Sequence, residues 1–354
     1  MRTPCLIIAN HNTDIDPVLV GMGFARHMYF VASEHILRMD FGSKLLKNIF
    51  SPIIINKTEP DASAAREILR RLNAGYNVCL FAEGNRSYSG LTGKIPASTA
   101  KLIKFSRAEL FTFKLEGGYF TTPRWSAKGN KRKGKMLGTV MGHYPAAELK
   151  AMTDAQILDI VERDIYVDAY ESQRELETPI RYRGKNLAEH IEVALYLCPN
   201  CKKIGTIRSL GNGFSCPCGL NAVYTETGFI KGSADGTIPF TTITDWDKWQ
   251  SEYLAEIVAS TPAATPICRD ENQKLYRVVD AHERSLVGQG LMQITLEEFE
   301  CAGEKFSLEE ITRFAIVDQM TLLFALKGGT QYEVRSDAPR SVSKYQEILR
   351  ILRM

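Results

Sequence analysis

Three groups of residues in this chain have types and spacings that can do chemistry. The first is Asn10-His11-Asn12-Thr13-Asp14-Ile15-Asp16. A histidine that closes an apolar run, with a carboxylate five positions on, can fold back in a short turn. The carboxylate then accepts Nδ1–H, and Nε2 is left as a base for a substrate hydroxyl. This is two-thirds of a triad, with the substrate supplying the third member. A strand-end histidine that merely caps a turn has the same pattern, so this motif alone does not decide between the two. The second group, Phe81-Ala82-Glu83-Gly84-Asn85-Arg86-Ser87, also follows an apolar run. Arginine offers a planar fork for phosphate oxygens, Gly84 allows close backbone approach, and Ser87 adds a hydroxyl donor. The plainer reading is a surface loop with a structural Glu83–Arg86 pair. The third is Cys198-Pro199-Asn200-Cys201 followed by Cys216-Pro217-Cys218-Gly219, two close pairs with fourteen residues between them. Four thiolates at that spacing suit a tetrahedral Zn²⁺ with no open position, hence a structural site. The remaining cysteines, 5, 79, 268 and 301, are scattered, which fits a reducing compartment better than a disulfide framework.

The elements that must carry these groups can be read from apolar runs. Residues 4–9, Tyr29–Ala32, Ile53–Ile55, Asn77–Phe81 and Leu110–Leu115 read as buried strands. Helices are expected around 33–39 and 44–50. Another is expected from a capping Asp61 through Ala65, Ile68, Leu69 and Leu72, ending near Gly75. Strands alternating with helices predict an α/β layered domain, and in open α/β sheets sites gather at the carboxyl ends of strands. Both polar motifs follow strands and should emerge on one sheet edge. Residues 153–175 read as one amphipathic helix and Trp246–Val258 as another. Thr261–Pro266 is linker-like, and five short apolar runs between Leu291 and Val334 precede a terminal amphipathic helix.

Taken together, the His11-x4-Asp16 block and the Phe-x-Glu-Gly-x-Arg block some seventy residues later resemble the glycerophosphate and lysophosphatidate acyltransferases. Ile53–Lys57 resembles that family's strand ending in a basic residue, with Lys57 where arginine is usual. Phe111–Gly118 resembles its last core strand, although Lys-Leu-Glu-Gly replaces a proline-bearing ending. Ala82 and Asn85 depart from the common Pro and Thr. The resemblance spans roughly residues 4–150. It implies direct acyl transfer from a thioester donor (acyl-CoA or acyl-carrier protein) to a hydroxyl of a phosphate-bearing glycerolipid, with 1-acylglycerol-3-phosphate giving phosphatidate. His11 would be the general base and Asp16 its orienting partner. Glu83 and Gly84 would shape the acceptor pocket, and Arg86 with Lys57 would bind its phosphate.

The expected fold is therefore α/β. A layered acyltransferase domain with a mixed central sheet covers 1–175, and a linker covers 176–195. A small zinc ribbon with ligands Cys198, Cys201, Cys216 and Cys218 covers 196–232. A helical connector at 233–262 leads to a small β-rich, pleckstrin-homology-like domain closed by a helix at 263–354. Competing readings are acylation of another glycolipid or envelope hydroxyl, and a non-catalytic zinc-ribbon interaction protein.

Charge bears on partners. The net charge is +3, but residues 1–150 hold 22 Lys/Arg against 11 Asp/Glu (+11), whereas 151–354 hold 22 against 30 (−8). A basic first part calls for an anionic partner, and the acidic remainder argues against nucleic acid. No apolar run approaches the ~18–20 residues of a spanning helix. Only ten residues precede His11, where members of the resembled family carry helices that seat them on a bilayer. Either the chain is incomplete at its N-terminus or membrane attachment comes from elsewhere. The substitute on offer is the basic run Lys128, Lys131, Arg132, Lys133 and Lys135, next to the aromatic Tyr119, Phe120 and Trp125, for which a solvated loop with no partner is the plainer reading. Arg124 is a second candidate for the acceptor site. The expected location is the cytoplasm, peripheral on the inner face of the membrane, with the lipid substrate, an anionic membrane surface and an acyl-carrier protein as partners.

Overall fold

The computed structural model describes residues 3–24, 26–34, 51–55, 62–233, 237–280 and 283–354. Lys57, the capping Asp61, and most of the helices expected around 33–39 and 44–50 lie outside the described residues. The described chain divides into two compact units. One holds the residues up to Arg124 together with Lys131–Arg183, and the other holds Trp125–Asn130 and Gly184–Met354.

The first unit is built on a six-stranded sheet: β1 (Cys5–Ala9), β2 (Met28–Ser33), β3 (Ile53–Ile55), β4 (Asn77–Phe81), β5 (Glu109–Glu116) and β6 (Leu137–Tyr144). The order is β3-β2-β4-β1-β5-β6, parallel throughout except that β6 runs antiparallel to β5. All five residues of β1 are buried, as a central strand covered on both faces requires. Leu6 and Ile8 face a core with Val78, Leu110, Ile68, Leu72, Ile103 and Ile157. Cys5, Ile7 and Ala9 face the opposite one, with Cys79, Phe81, Phe113 and Val20. Helices α1 (Asp16–Phe24), α2 (Ala62–Asn73), α3 (Ser98–Ser106), α4 (Gly118–Thr121), α5 (Ala146–Ala151), α6 (Asp154–Ile165) and α7 (Ala169–Arg174) complete the unit.

Two differences from the sequence reading stand out here. The amphipathic stretch 153–175 is two helices, because Val167 between them accepts from Thr92 N–H (2.9 Å) and donates its own N–H to Thr92 Oγ1 (2.9 Å). A neighbouring loop thus takes the backbone groups that a continuous helix would have used. Strand β6 was not anticipated, because Gly138 and Gly142 interrupt its apolar pattern.

The second unit has a four-stranded antiparallel sheet, in the order β10-β9-β8-β7, of β7 (Arg208–Leu210), β8 (Gly213–Ser215), β9 (Asn221–Tyr224) and β10 (Ile230–Gly232). Helix α8 (Ile243–Ser260) follows. A seven-stranded antiparallel sheet comes next: β11 (Cys268–Val278), β12 (Arg284–Ile294), β13 (Glu298–Cys301), β14 (Glu304–Ser307), β15 (Ile311–Val317), β16 (Thr321–Leu326) and β17 (Gln331–Arg335). Helix α9 (Ser343–Leu352) ends it, burying Tyr345, Ile348 and Leu349.

Of the stretch expected as a linker, 176–195, the last part from Leu187 onward is mostly interior. Leu187, Ala188, Ile191, Val193, Ala194 and Leu195 are buried, and α8 is fastened to them rather than merely connecting domains. Trp246 Nε1 donates to Leu197 O (2.9 Å), Gln250 Nε2 donates to Ala194 O (2.8 Å), and Tyr196 N–H donates to Gln250 Oε1 (3.1 Å). No helix among the described residues is long and apolar enough to cross a membrane.

Candidate functional site

Parallel pairing puts Ala9 level with Phe81 of β4 and with Phe113 of β5. The chain leaving β1 into His11 therefore runs beside the chain leaving β4 into Glu83. His11 Nδ1 lies 2.9 Å from Asp16 Oδ2. The Asp16 carboxylate is fully buried and saturated: Oδ2 also accepts from Asn12 N–H (2.6 Å) and Thr13 N–H (2.8 Å), and Oδ1 accepts from Thr13 Oγ1 (2.6 Å). Asp16 is the first residue of α1. The turn is pinned from the other side as well. Asn10 Nδ2 and Asn12 Nδ2 both donate to Leu115 O at 2.8 Å, and Leu115 N–H donates to Asn10 Oδ1 at 2.7 Å. The His11 ring stacks on Phe81 (4.3 Å, 18° between planes) and keeps 21% of its side chain exposed. A fixed, partly open imidazole with a sealed carboxylate behind it is the geometry of a base held for an external proton donor.

Glu83 sits differently from the sequence expectation. Its Oε1 accepts from His11 N–H (2.7 Å) and its Oε2 from Gly93 N–H (2.6 Å). The carboxylate thus ties the second motif to the backbone of the first and to the far end of its own loop. Burial pushes the Glu83 carboxyl up to about 7, against the two backbone hydrogen bonds that favour its charged form. Gly84 is exposed with φ of +71°, and a Cβ there would meet nothing, so its role is backbone conformation. Arg86 pairs with Asp14 (Nη1 to Oδ2, 3.2 Å). That partner is 83% exposed, an anion that a bound phosphate can replace.

Arg124 stands behind this loop. It is buried, its Nη1 donates to Arg86 O (3.0 Å), and its guanidinium lies 4.2 Å over the Tyr88 ring. Tyr119 OH donates to Tyr88 O (3.1 Å), and Ser87 N–H donates to His11 O (3.2 Å). Thr13, Asn10 and Asn12 had no role of their own in the sequence reading, and Tyr119 had none at this site. The asparagines flanking His11 were the one signal present, since strand-end amides serve as backbone locks.

The structure corrects the expected membrane-seating segment. Tyr119, Phe120, Trp125 and Arg132 are buried, so the aromatic half of that segment is core and the basic run is not uniformly at the surface. Lys131, Lys133 and Lys135 are exposed. Cys5 and Cys79 are buried, which pushes the Cys5 thiol up to about 11 and raises that of Cys79 too, leaving neither suited to act as a nucleophile.

In the second unit, the sulfurs of Cys198, Cys201, Cys216 and Cys218 all lie within 4.8 Å of one another. Cys198 and Cys218 are 3.6 Å apart, and Cys201 and Cys216 are 3.7 Å apart. Tetrahedral thiolates ~2.3 Å from a zinc ion stand about 3.8 Å from each other, so the four fit that ion. The two halves of the cluster turn alike. Cys198 N–H donates to Lys203 O and Cys216 N–H to Leu220 O, each with the second cysteine of its pair followed by a left-handed residue, Lys202 (φ 58°) or Gly219 (φ 99°). Burial pushes the Cys198 thiol up to about 12, and a bound cation would reverse that preference.

The first unit is thus an α/β domain holding a His–Asp dyad beside an arginine loop at adjacent strand ends. Residues 1–116 match the family model described as Acyltransferase, a span that contains His11, Asp16, Glu83, Gly84 and Arg86. Among solved structures, the 1-acyl-sn-glycerophosphate (LPA) acyltransferase PlsC from Thermotoga maritima is similar over 50% of this chain and 70% of its own, at 18% identity and a TM-score of 0.41. The curated proteins contain no match.

Proposed function

We propose that this chain is an O-acyltransferase that moves a fatty acyl group from a thioester donor, acyl-CoA or acyl-carrier protein, to a hydroxyl of a phosphate-bearing glycerolipid. The preferred acceptor is 1-acylglycerol-3-phosphate, and the product is phosphatidate. The observation that carries this reading is the His11–Asp16 dyad, fixed by Glu83 beside the Arg86 loop, within the span that matches the acyltransferase family.

In this mechanism Nε2 of His11 takes the proton of the acceptor hydroxyl, and the oxygen attacks the thioester carbonyl. The tetrahedral adduct collapses with cleavage of the C–S bond. The departing thiolate then takes the proton back from the imidazolium. Asp16 holds the ring through Nδ1 and stabilises its charged form, while Arg86 receives the acceptor phosphate in place of Asp14. The four cysteines would hold a structural zinc that takes no part in these steps. A thiol-release assay with acyl-CoA and lysophosphatidate tests the scheme. His11→Ala should abolish release, and Arg86→Ala should raise KM for the acceptor about tenfold or more. Full activity in His11→Ala would refute the mechanism, and an unchanged acceptor KM in Arg86→Ala would refute the phosphate assignment.

A further inference from the structure

Helix α1 is apolar on two sides. Val20 is buried and Leu19 and Phe24 are packed in the sheet core, yet Ile15, Val18 and Met22 form a second stripe at helical spacing that is 47%, 51% and 73% exposed. Alongside runs β6, the edge strand of the sheet, against which α1 packs. Val140 pairs with Phe113, whose ring meets a Cβ built on Gly23 of α1, so Val140 lies on the α1 side. Val140 and Met141, the latter where the β5–β6 register shifts, are both exposed. The result is an apolar band across helix and strand.

The rim of this band is mostly cationic, its exposed carboxylate beside Ile15, Asp14, being paired with Arg86. Lys131, Lys133 and Lys135 lead into β6, Arg26 follows α1, and all four are exposed. Residues 117–147 contain no Asp or Glu. The band also begins at the site: Ile15 stands between Asp14, which pairs with Arg86, and Asp16, which pairs with His11.

We propose that Ile15, in the turn before α1, and Val18 and Met22 of α1, with Val140 and Met141 of β6, form the surface by which the first unit docks on an anionic lipid bilayer. An apolar centre within a basic rim is complementary to acidic headgroups above hydrocarbon. This deepens the acyltransferase reading and rests on it for the choice of occupant. A site that takes long-chain lipids needs its mouth at the lipid surface, and this band adjoins that mouth.

The test is flotation of the full chain with vesicles of phosphatidylcholine, or of equal parts phosphatidylcholine and phosphatidylglycerol. Wild type should float with the anionic vesicles and lose binding at high salt. Met22→Glu and Val18→Glu should each lower partitioning about tenfold, since one large apolar side chain is worth that much on burial. Both side chains are exposed, so thermal midpoints should match wild type, and Met22→Glu should acylate a short-chain, water-soluble lysophosphatidate as wild type does. His11→Ala should float normally. Wild type that ignores both vesicles, or variants that float as well as wild type, would overturn the proposal. So would a dimer, seen by light scattering, that Met22→Glu dissolves without any vesicle binding, since the band would then be covered by a second copy. If flotation is lost in Met22→Glu but no protein acylates any acceptor, the docking surface stands and the acyltransferase reading falls.

Discussion

The two polar clusters of this chain are built from similar parts and end in opposite states. At the end of β1, short turns aim backbone N–H groups and two asparagines at one carboxylate and one carbonyl, and a single imidazole is left partly open. In the second unit, paired turns aim four sulfurs at one another, and the cluster is closed by its own ligands. Hydrogen-bonding the carboxylate and the amides while leaving one imidazole partly open is the arrangement that the proposed acyl transfer needs. Saturating everything makes a staple. The difference lies in which atom is left over, not in how tightly the surroundings are ordered.

If that contrast is right, the largest effect should come from the buried carboxylate of the open site. Asp16→Asn replaces an acceptor that serves two backbone N–H groups, a hydroxyl and the imidazole. The amide cannot accept all four. Turnover should fall by about 10²–10⁴, as for loss of an orienting carboxylate, with about 1–3 kcal/mol of stability lost as buried donors go unmet. Single-turnover kinetics and denaturant melts would measure both. Wild-type turnover in this variant would show that the imidazole is not held by Asp16.

The closed cluster should behave in the converse way. Cys201→Ser should remove bound zinc, measured by elemental analysis, and lower the thermal transition, because a structural ion's binding energy is folding energy. Acyl transfer at temperatures below that transition should change by less than about twofold, because a structural zinc takes no part in the proposed steps. If activity vanishes with the metal, the division of labour between the two clusters fails.

Glu83 gives a pH signature that the cysteine cluster should lack. Its folded pKa is raised, to about 7, so the native state holds the proton more tightly than the unfolded chain does. Its contribution to stability is fully present below the ordinary carboxylate range and is lost as pH rises to about 7. Denaturant unfolding of wild type should weaken across that window, and Glu83→Gln should flatten the slope. An identical slope in the variant would remove Glu83 as its source.

The smallest effects belong to the loop that holds Arg86. Arg124→Lys keeps the charge but cannot both stack on Tyr88 and reach Arg86 O as a guanidinium does. Acceptor KM should rise a few-fold (~3–10) with kcat little changed, as expected for about 1 kcal/mol of lost positioning. A fall in kcat at constant KM would instead put Arg124 in the chemistry.

Much of the first site could be read in advance because its logic is local. His11 and Asp16 are five residues apart, and the apolar runs Cys5–Ala9 and Asn77–Phe81 mark the strands that bring the two motifs out together. What could not be read was the pair of partners that Glu83 takes. Glu83 looked like a substrate group by type, and only the β1–β4 register brings His11 N–H and Gly93 N–H onto its two oxygens. The aromatics Tyr119, Phe120 and Trp125 looked like a surface segment because charge and aromatic content are silent about burial. The fold turns them inward. The burial of the last part of 176–195 was hidden for the same reason: nothing in those residues announces that Gln250 of α8 will donate to Ala194 O.

The sequence by itself determined the chemistry-bearing residue types, their spacing and the strands they follow, because those depend on neighbours a few positions away. The tertiary structure decided which of them face outward. Asn10 locked to Leu115, a committed Glu83 and a buried Arg124 follow from contacts between segments tens of residues apart, and no local pattern encodes which partner arrives.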